Sequence, residues 1–303
     1  MNIHIGPPKT GTTTLQNFLA QNRQELKNQG YSVLGSDATL SSMQRDFELL
    51  MGGLTENSSH VKDWLIQQKK LLVIDENLWN GFTGGHVQSL MFENPCITAV
   101  NVSFTFRSTF SRLHSHISDA LETNDFLTLQ KFVDRTLLDG WFNYENHIKE
   151  FDDVANLRVS VLSLNKNADI LSIYCDHVGI ETHLIKSNNE NVSVSPAVAV
   201  ASNIKRFYKS TLSQEELVDR INVEFPNLNN LYALLPVATL TLIKAFIQNN
   251  QFGQLDYMRA NRFMTEASLE ANLGEVRFGL DFLTRAIEEN HNKNFLKLLS
   301  RLD

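Results

Sequence analysis

The segment that most constrains the fold is the start of the chain, where a short apolar run passes through a tight loop into a helical pattern. Residues Asn2 to Ile5 are predicted to form a buried strand. The stretch from Thr12 to Asn28 is predicted to be a helix, because Leu15, Phe18 and Leu26 recur at roughly helical spacing. Between them lies a loop of glycine, proline, lysine and threonine. A buried strand that enters a helix directly in this way is typical of an α/β fold.

Further strands follow along the chain. They are predicted at residues Leu71 to Ile74, Ala99 to Phe106 and Leu157 to Leu164, with a helix from Ala168 to Val178 after the last. Apolar strands that alternate with helices predict a largely parallel sheet covered on both faces. The expected fold is therefore a three-layer α/β fold with a central parallel sheet.

The pattern becomes helical from Ser195 onward. Pro196 suits a first helical turn, and Ser213 with Glu216 matches a capping box. We therefore predict a core over residues 1–195 and a C-terminal helical annex over residues 196–303.

Composition excludes several classes of protein. The 303-residue chain has a formal net charge of −7, which argues against bulk affinity for nucleic acid or an anionic membrane. Cys96 and Cys175 are too few for a disulfide framework, and both are expected to be buried, reduced thiols. No stretch reaches the roughly 18 apolar residues of a membrane span, so we expect a cytoplasmic protein without one. An anionic ligand would have to be held by a local cluster of donors.

The loop after the first strand contains such a cluster. Its glycines allow close approach of the backbone, a helix N-terminus supplies amides, and lysine and threonine add further donors. A threonine-rich helix cap beside a solvated lysine is the alternative interpretation. A nucleotide triphosphatase loop would carry lysine directly after its last glycine, whereas here Thr12 follows Gly11 and the lysine is Lys9.

A second motif follows the strand that ends at Phe106. Arg107 comes directly after it, and the next residues, to Glu122, are predicted to form a helix. Positions 108, 111, 112 and 115 share one face of that helix, which therefore carries three serines and Arg112. An ordinary amphipathic helix with a solvated polar face would look the same.

The two motifs together resemble those of sulfotransferases that use 3′-phosphoadenosine 5′-phosphosulfate (PAPS). The order Pro-Lys-x-Gly-Thr-Thr closely resembles their 5′-phosphosulfate loop, and the resemblance implies a P-loop-like fold. It also implies that Lys9 reaches toward the transferring sulfuryl group, and that the 5′-phosphate is held by Lys9, Thr10, Gly11, Thr12, Thr13 and Thr14. In the family, an arginine at a strand end, a second arginine five residues later and a serine eight residues later form the 3′-phosphate site, and these positions are Arg107, Arg112 and Ser115.

The resemblance covers about residues 1–205 and has departures. The family's usual proline is Thr109 here, and its frequent tyrosine is Ile117. Residues 141–144 and 191–196 are similar to later parts of the family, whereas the C-terminal third matches nothing in it. The segment that contacts the purine is not identified.

Sulfuryl transfer to an alcohol also needs a general base. Glu76 follows the second of the strands described above, where carbohydrate sulfotransferases of this family carry a glutamate, and is the first candidate. The same strand also resembles a Walker B element. His86 is the runner-up, because relatives that act on small alcohols and phenols use a histidine. His4, His114 and His116 are expected to be structural.

The sequence thus predicts an enzyme that transfers a sulfuryl group from PAPS to an acceptor hydroxyl, on a carbohydrate or glycolipid precursor. Its product would be 3′,5′-adenosine bisphosphate, and no metal would be required. The alternatives are a P-loop kinase or ATPase that uses Mg²⁺ and a non-catalytic nucleotide-binding scaffold. The acceptor and the oligomeric state stay open. So does the role of four aromatic residues that fit either a sugar platform or core packing, which are Trp79, Phe82, Trp141 and Tyr144.

Overall fold

The computed structural model describes residues 1–34, 70–75, 77–123, 126–165, 169–181, 195–225, 228, 230–289 and 300. The side chains of residues 77, 122, 123, 126 and 127 are not among those described. Every structural statement below concerns this part of the chain.

A five-stranded, all-parallel sheet forms the centre of the fold, with strand order β2-β3-β1-β4-β5. The strands are β1 (Asn2–Ile5), β2 (Tyr31–Val33), β3 (Lys70–Ile74), β4 (Val100–Phe106) and β5 (Leu157–Ser163). The predicted α/β fold with a parallel sheet and C-terminal helices is confirmed. Sequence analysis missed β2, since a three-residue strand is too short to show a periodic pattern.

Helices cover the sheet and make up the C-terminal third. They are α1 (Thr12–Gln21), α2 (Arg23–Asn28), α3 (Gly84–Glu93), α4 (Thr109–Thr123), α5 (Phe126–Leu138), α6 (Tyr144–Lys149), α7 (Ile170–Val178), α8 (Pro196–Phe207), α9 (Gln214–Glu224), α10 (Val237–Phe246), α11 (Phe252–Ala260) and α12 (Glu266–Glu289). Two short 3₁₀ turns (Asn77–Asn80 and Leu231–Leu234) and a π-helical turn (Ile247–Gln251) complete the described elements.

Local capping signals in the sequence correspond to observed helix ends. Pro196 opens α8, and the Ser195 hydroxyl accepts a hydrogen bond from the amide of Val198 at 3.3 Å. Ser213 and Glu216 form the predicted capping box at the start of α9. The single helix predicted over residues 12–28 is instead α1 and α2, which meet at residue 22.

The chain divides into two compact units. The first contains the sheet and consists of residues 1–107, 144–191 and 257–268. The second consists of residues 108–143, 192–256 and 269–303. Residues 108–143 group with the later helices because α4 packs against α8 and the Leu231–Leu234 turn. The division predicted at residue 195 stays a prediction.

One hydrophobic cluster of the first unit joins side chains of the sheet to those of helices α1, α2 and α7. His4 is fully buried in this unit, where its Nδ1 is 2.9 Å from the Ser103 hydroxyl and its Nε2 is 3.0 Å from the Thr105 hydroxyl. Burial lowers the pKa of His4 to about 3, so it is neutral at physiological pH. The prediction that His4 is a satisfied core residue is confirmed.

Three of the four aromatic candidates are also core residues of the first unit. Trp79, Phe82 and Tyr144 are buried, and the Trp79 and Tyr144 rings lie edge to face with centroids 5.1 Å apart. The core-packing interpretation therefore holds for these three. Trp141 belongs to the second unit and is partly buried.

The two cysteines differ from each other. Cys175 is buried as predicted, but the prediction that Cys96 is buried is wrong, because it lies in the exposed connection between α3 and β4. Among the described helices, none has the length and apolar character needed to cross a membrane.

Candidate anion-binding site

The strand order predicts a crevice at the carboxyl edge of the sheet. β1 lies between β3 and β4, and the chain continues from β1 toward β2 on one side and from β4 toward β5 on the other. Loops that leave neighbouring strands in opposite directions open a crevice, where ligands bind in open α/β sheets. The loop after β1 and Arg107 after β4 both lie at this crevice, within the first unit.

Side-chain hydrogen bonds shape the loop from inside. The buried Thr12 hydroxyl donates to the carbonyl of Gly6 at 3.1 Å, and the buried Thr10 hydroxyl donates to the carbonyl of Pro7 at 2.6 Å. A Cβ atom on Gly6 would lie only 2.0 Å from the Thr12 Oγ1 atom, so the close approach requires glycine. The two threonine protons therefore hold the loop closed on itself. The predicted contacts of Thr10 and Thr12 with phosphate stay predictions.

The backbone of the loop has the conformation of an anion cradle. Lys9 and Gly11 both have positive φ angles, of 68° and 85°. Alternation with left-handed residues turns backbone amides toward a common centre. Gly11 is also the N-cap of α1, where no side chain caps the helix, and Thr12 and Thr13 begin the first turn. First-turn amides have no partner within their own helix and lie at the positive end of its dipole, so this loop suits a phosphate or sulfate group.

Arg107 joins the second motif to the first. Its Nη1 donates to the carbonyl oxygen of Lys9 at 3.0 Å, which links the end of β4 to the loop that follows β1. The backbone amide of Arg107 donates to the hydroxyl of fully buried Tyr144 at 3.3 Å, which fixes the backbone of the arginine. The structure therefore brings Lys9 and Arg107 together, and it adds a direct bond between the two motifs that no sequence pattern indicated.

The other residues of the second motif lie in the second unit. The buried Arg112 donates from Nη1 to the Trp141 carbonyl at 2.8 Å, and its guanidinium lies 4.6 Å from the centroid of the Phe142 ring. The Ser115 hydroxyl is 3.4 Å from the carbonyl oxygen of Ser111, one turn earlier in α4. These bonds give Arg112 a packing role in its own unit. The predicted contacts of Arg112 and Ser115 with a 3′-phosphate stay predictions.

Glu275, which sequence analysis did not single out, contacts the start of α4 from another helix. Its Oε2 accepts hydrogen bonds from the hydroxyls of Ser108 at 2.8 Å and Ser111 at 3.1 Å. Glu275 belongs to α12, in the part of the chain that matches no motif, so no sequence signal pointed to it. Two of the four polar side chains predicted on this face of α4 therefore contact a carboxylate.

Of the two candidate bases, the structure describes only His86. The His86 Nδ1 accepts from the Thr83 amide at 3.1 Å and lies 2.9 Å from the Thr83 hydroxyl, which completes a capping box at the start of α3. The exposed His86 thus has a structural role that requires no substrate. Glu76, together with Asn191 to Val194 of the later resemblance, lies outside the described residues.

His114 and His116 both make structural contacts. The His114 Nε2 accepts from the backbone amide of Leu231 at 3.2 Å, and the buried His116 packs against the rings of Trp141 and Phe142. No cluster of three or more metal-ligating side chains occurs within the described ranges.

Comparison with known proteins adds no relative to this picture. No family model matches the chain. No curated protein matches it significantly. No solved structure does either.

Proposed function

We propose that the chain is a PAPS-dependent sulfotransferase that acts on an acceptor hydroxyl, on a carbohydrate or a glycolipid precursor, in the cytoplasm. The observation that carries the proposal is the hydrogen bond from the Arg107 guanidinium to the Lys9 carbonyl, which joins the two motifs at the carboxyl edge of the sheet. It supports a ligand with anionic groups at both motifs, as the sequence resemblance implies.

The position of the lysine favours this donor over a nucleoside triphosphate. In a kinase or ATPase loop the lysine opens the helix directly before Ser or Thr. Here the helix opens with Thr12 after Gly11, and Lys9 stands in the loop at a left-handed backbone position. The cation therefore belongs to the loop itself rather than to the helix.

The proposed reaction is an in-line displacement at sulfur. The acceptor oxygen attacks the sulfuryl group, the bond between sulfur and the 5′-phosphate oxygen breaks, and 3′,5′-adenosine bisphosphate leaves with the electron pair. Lys9 and the first amides of α1 would stabilise the charge that moves onto the leaving phosphate. Glu76 would take the hydroxyl proton. Arg112 and Ser115 enter the proposal through the sequence resemblance alone.

Thermal unfolding with adenosine phosphates tests the proposal. We expect 3′,5′-adenosine bisphosphate to stabilise the protein without Mg²⁺, because two phosphates must be held at separate places. At 100 times Kd the stabilisation is about 2.7 kcal/mol, a rise of roughly 5 °C in Tm for a chain of this size. ADP and ATP should give much less.

The variant Lys9→Ala serves as the control, since it removes the loop cation and should abolish most of the increment. Equal stabilisation by ATP that appears only with Mg²⁺ would favour the kinase alternative. Stabilisation by the bisphosphate without any sulfuryl transfer to hydroxyl acceptors would favour the scaffold alternative.

A further inference from the structure

The first turn of α4 binds a carboxylate of the protein itself. Ser108 and Ser111 direct both hydroxyl protons at one oxygen, the Oε2 of Glu275, and the Ser111 amide donates to the Ser108 hydroxyl at 3.3 Å. Donors at the positive end of a helix dipole suit an oxyanion, and here a carboxylate of the same unit takes that place.

The helix that bears Glu275 is packed tightly on α4. A Cβ atom on Gly279 would lie 2.6 Å from Cγ of Phe110, so α12 approaches α4 as closely as glycine permits. The rings of Phe278 and Phe282 also pack on Phe110, with centroids 6.0 Å and 5.8 Å away. The backbone at Glu275 is therefore fixed relative to α4, and its carboxylate can leave the serines only by rotation of its side chain.

Gln251 is a second, independent indication that this turn binds a group that accepts hydrogen bonds. It ends the π-helical turn Ile247–Gln251, and its Oε1 accepts from the amide of Thr109 at 2.7 Å. Its side chain is completely buried, yet within the described part of the chain its Nε2 has no hydrogen-bond partner. The buried Thr109 hydroxyl likewise has none there. Buried donors of this kind are costly unless something accepts from them, and π-helical turns often occur at functional sites.

We propose that the first turn of α4 is an oxyanion site in which Glu275 competes with a phosphate or sulfate group for Ser108 and Ser111. Gln251 supplies an additional donor to the bound group. The identification of that group as the 3′-phosphate of PAPS rests on the proposed function. Glu275 then sets the affinity of the site, because an anionic ligand must displace its carboxylate. A neutral side chain at this position would not repel the ligand.

The test compares Glu275→Gln with Glu288→Gln. Both remove one negative charge from α12, but Glu288 is exposed near the C-terminal end of the helix, away from Glu275. Binding of 3′,5′-adenosine bisphosphate and of inorganic phosphate is measured by calorimetry and by the rise in Tm. We expect Glu275→Gln to bind both roughly tenfold more tightly than the wild type, because one like charge is removed beside the site. Glu288→Gln should match the wild type, and Gln251→Met should weaken binding.

The outcomes separate this inference from the proposed function. If the bisphosphate binds no variant but phosphate still binds Glu275→Gln more tightly, the proposed function fails and the oxyanion site stands. If Glu275→Gln and Glu288→Gln bind phosphate equally, the oxyanion site is refuted whatever the nucleotide does. Should Glu275→Gln fail to fold, Ser111→Ala replaces it. That variant must lose phosphate affinity, and unchanged affinity would refute the site.

Discussion

Replacement of Arg107 by alanine should weaken the binding of ligands that lack a 3′-phosphate as well as those that carry one. The sequence resemblance alone assigns Arg107 to the 3′-phosphate. The structure shows its Nη1 bound to the Lys9 carbonyl at 3.0 Å, so Arg107 also supports the loop that we propose to bind the 5′-phosphosulfate. We expect loss of that bond to weaken the hold on the left-handed backbone of Lys9.

The magnitude follows from one charge-assisted hydrogen bond. Such bonds contribute about 1.5–3 kcal/mol, and Arg107 is only partly buried, so the lower end applies. A loss of about 1.4 kcal/mol corresponds to a tenfold weaker Kd. We therefore expect adenosine 5′-phosphate to bind Arg107→Ala roughly tenfold more weakly, and 3′,5′-adenosine bisphosphate to lose more than this.

Isothermal titration calorimetry with the two nucleotides measures both losses. Arg23→Ala is a matched control, because Arg23 also donates to a backbone carbonyl, that of Val33 at the end of β2, at 2.6 Å. β2 is separated from β1 by β3, so the control should lose stability without losing nucleotide affinity. Unchanged binding of adenosine 5′-phosphate to a folded Arg107→Ala protein would refute the proposed support of the loop.

Three further predictions concern catalysis and stability. Glu76→Gln should reduce turnover by roughly 10²- to 10⁴-fold while nucleotide binding persists. His86→Ala should instead cost about 1 kcal/mol of stability through the lost helix cap and leave turnover intact. If steady-state kinetics show the reverse pattern, His86 is the base. Lys9→Ala should lower turnover even at saturating PAPS, because in the proposed reaction Lys9 stabilises charge that moves in the transition state. Normal turnover at saturation would contradict that role. Burial lowers the pKa of His4 from 6.5 to about 3, so the unfolded chain takes up a proton before the folded protein does as the pH falls. The free energy of unfolding, measured by denaturant titration, should therefore keep the full contribution of neutral His4 above pH 6.5 and lose it between pH 6.5 and 3, by up to about 1.4 kcal/mol per pH unit. The slope of stability against pH should be smaller in His4→Gln.

Sequence patterns were sufficient for four of the five strands and for the loop because they report short-range preferences. A buried strand, a glycine that permits close approach and a helix start lie within a dozen residues of one another in the segment from Asn2 to Thr12. The alternation of apolar strands with helices then favours a parallel sheet for any chain of this kind. The same short-range signals located Pro196 and Ser213 at helix starts.

Only the tertiary structure decided what those elements contact. The bond between Arg107 and Lys9 joins residues 98 positions apart, and Glu275 reaches Ser108 across 167 positions. Gln251 meets the amide of Thr109 across 142 positions. Periodicity and capping describe neighbours along the chain, whereas such pairs depend on how whole helices and strands pack. The physical reason is that a glutamate or glutamine on a helix carries no local sign of its partner, which is set by the packing of that helix against another.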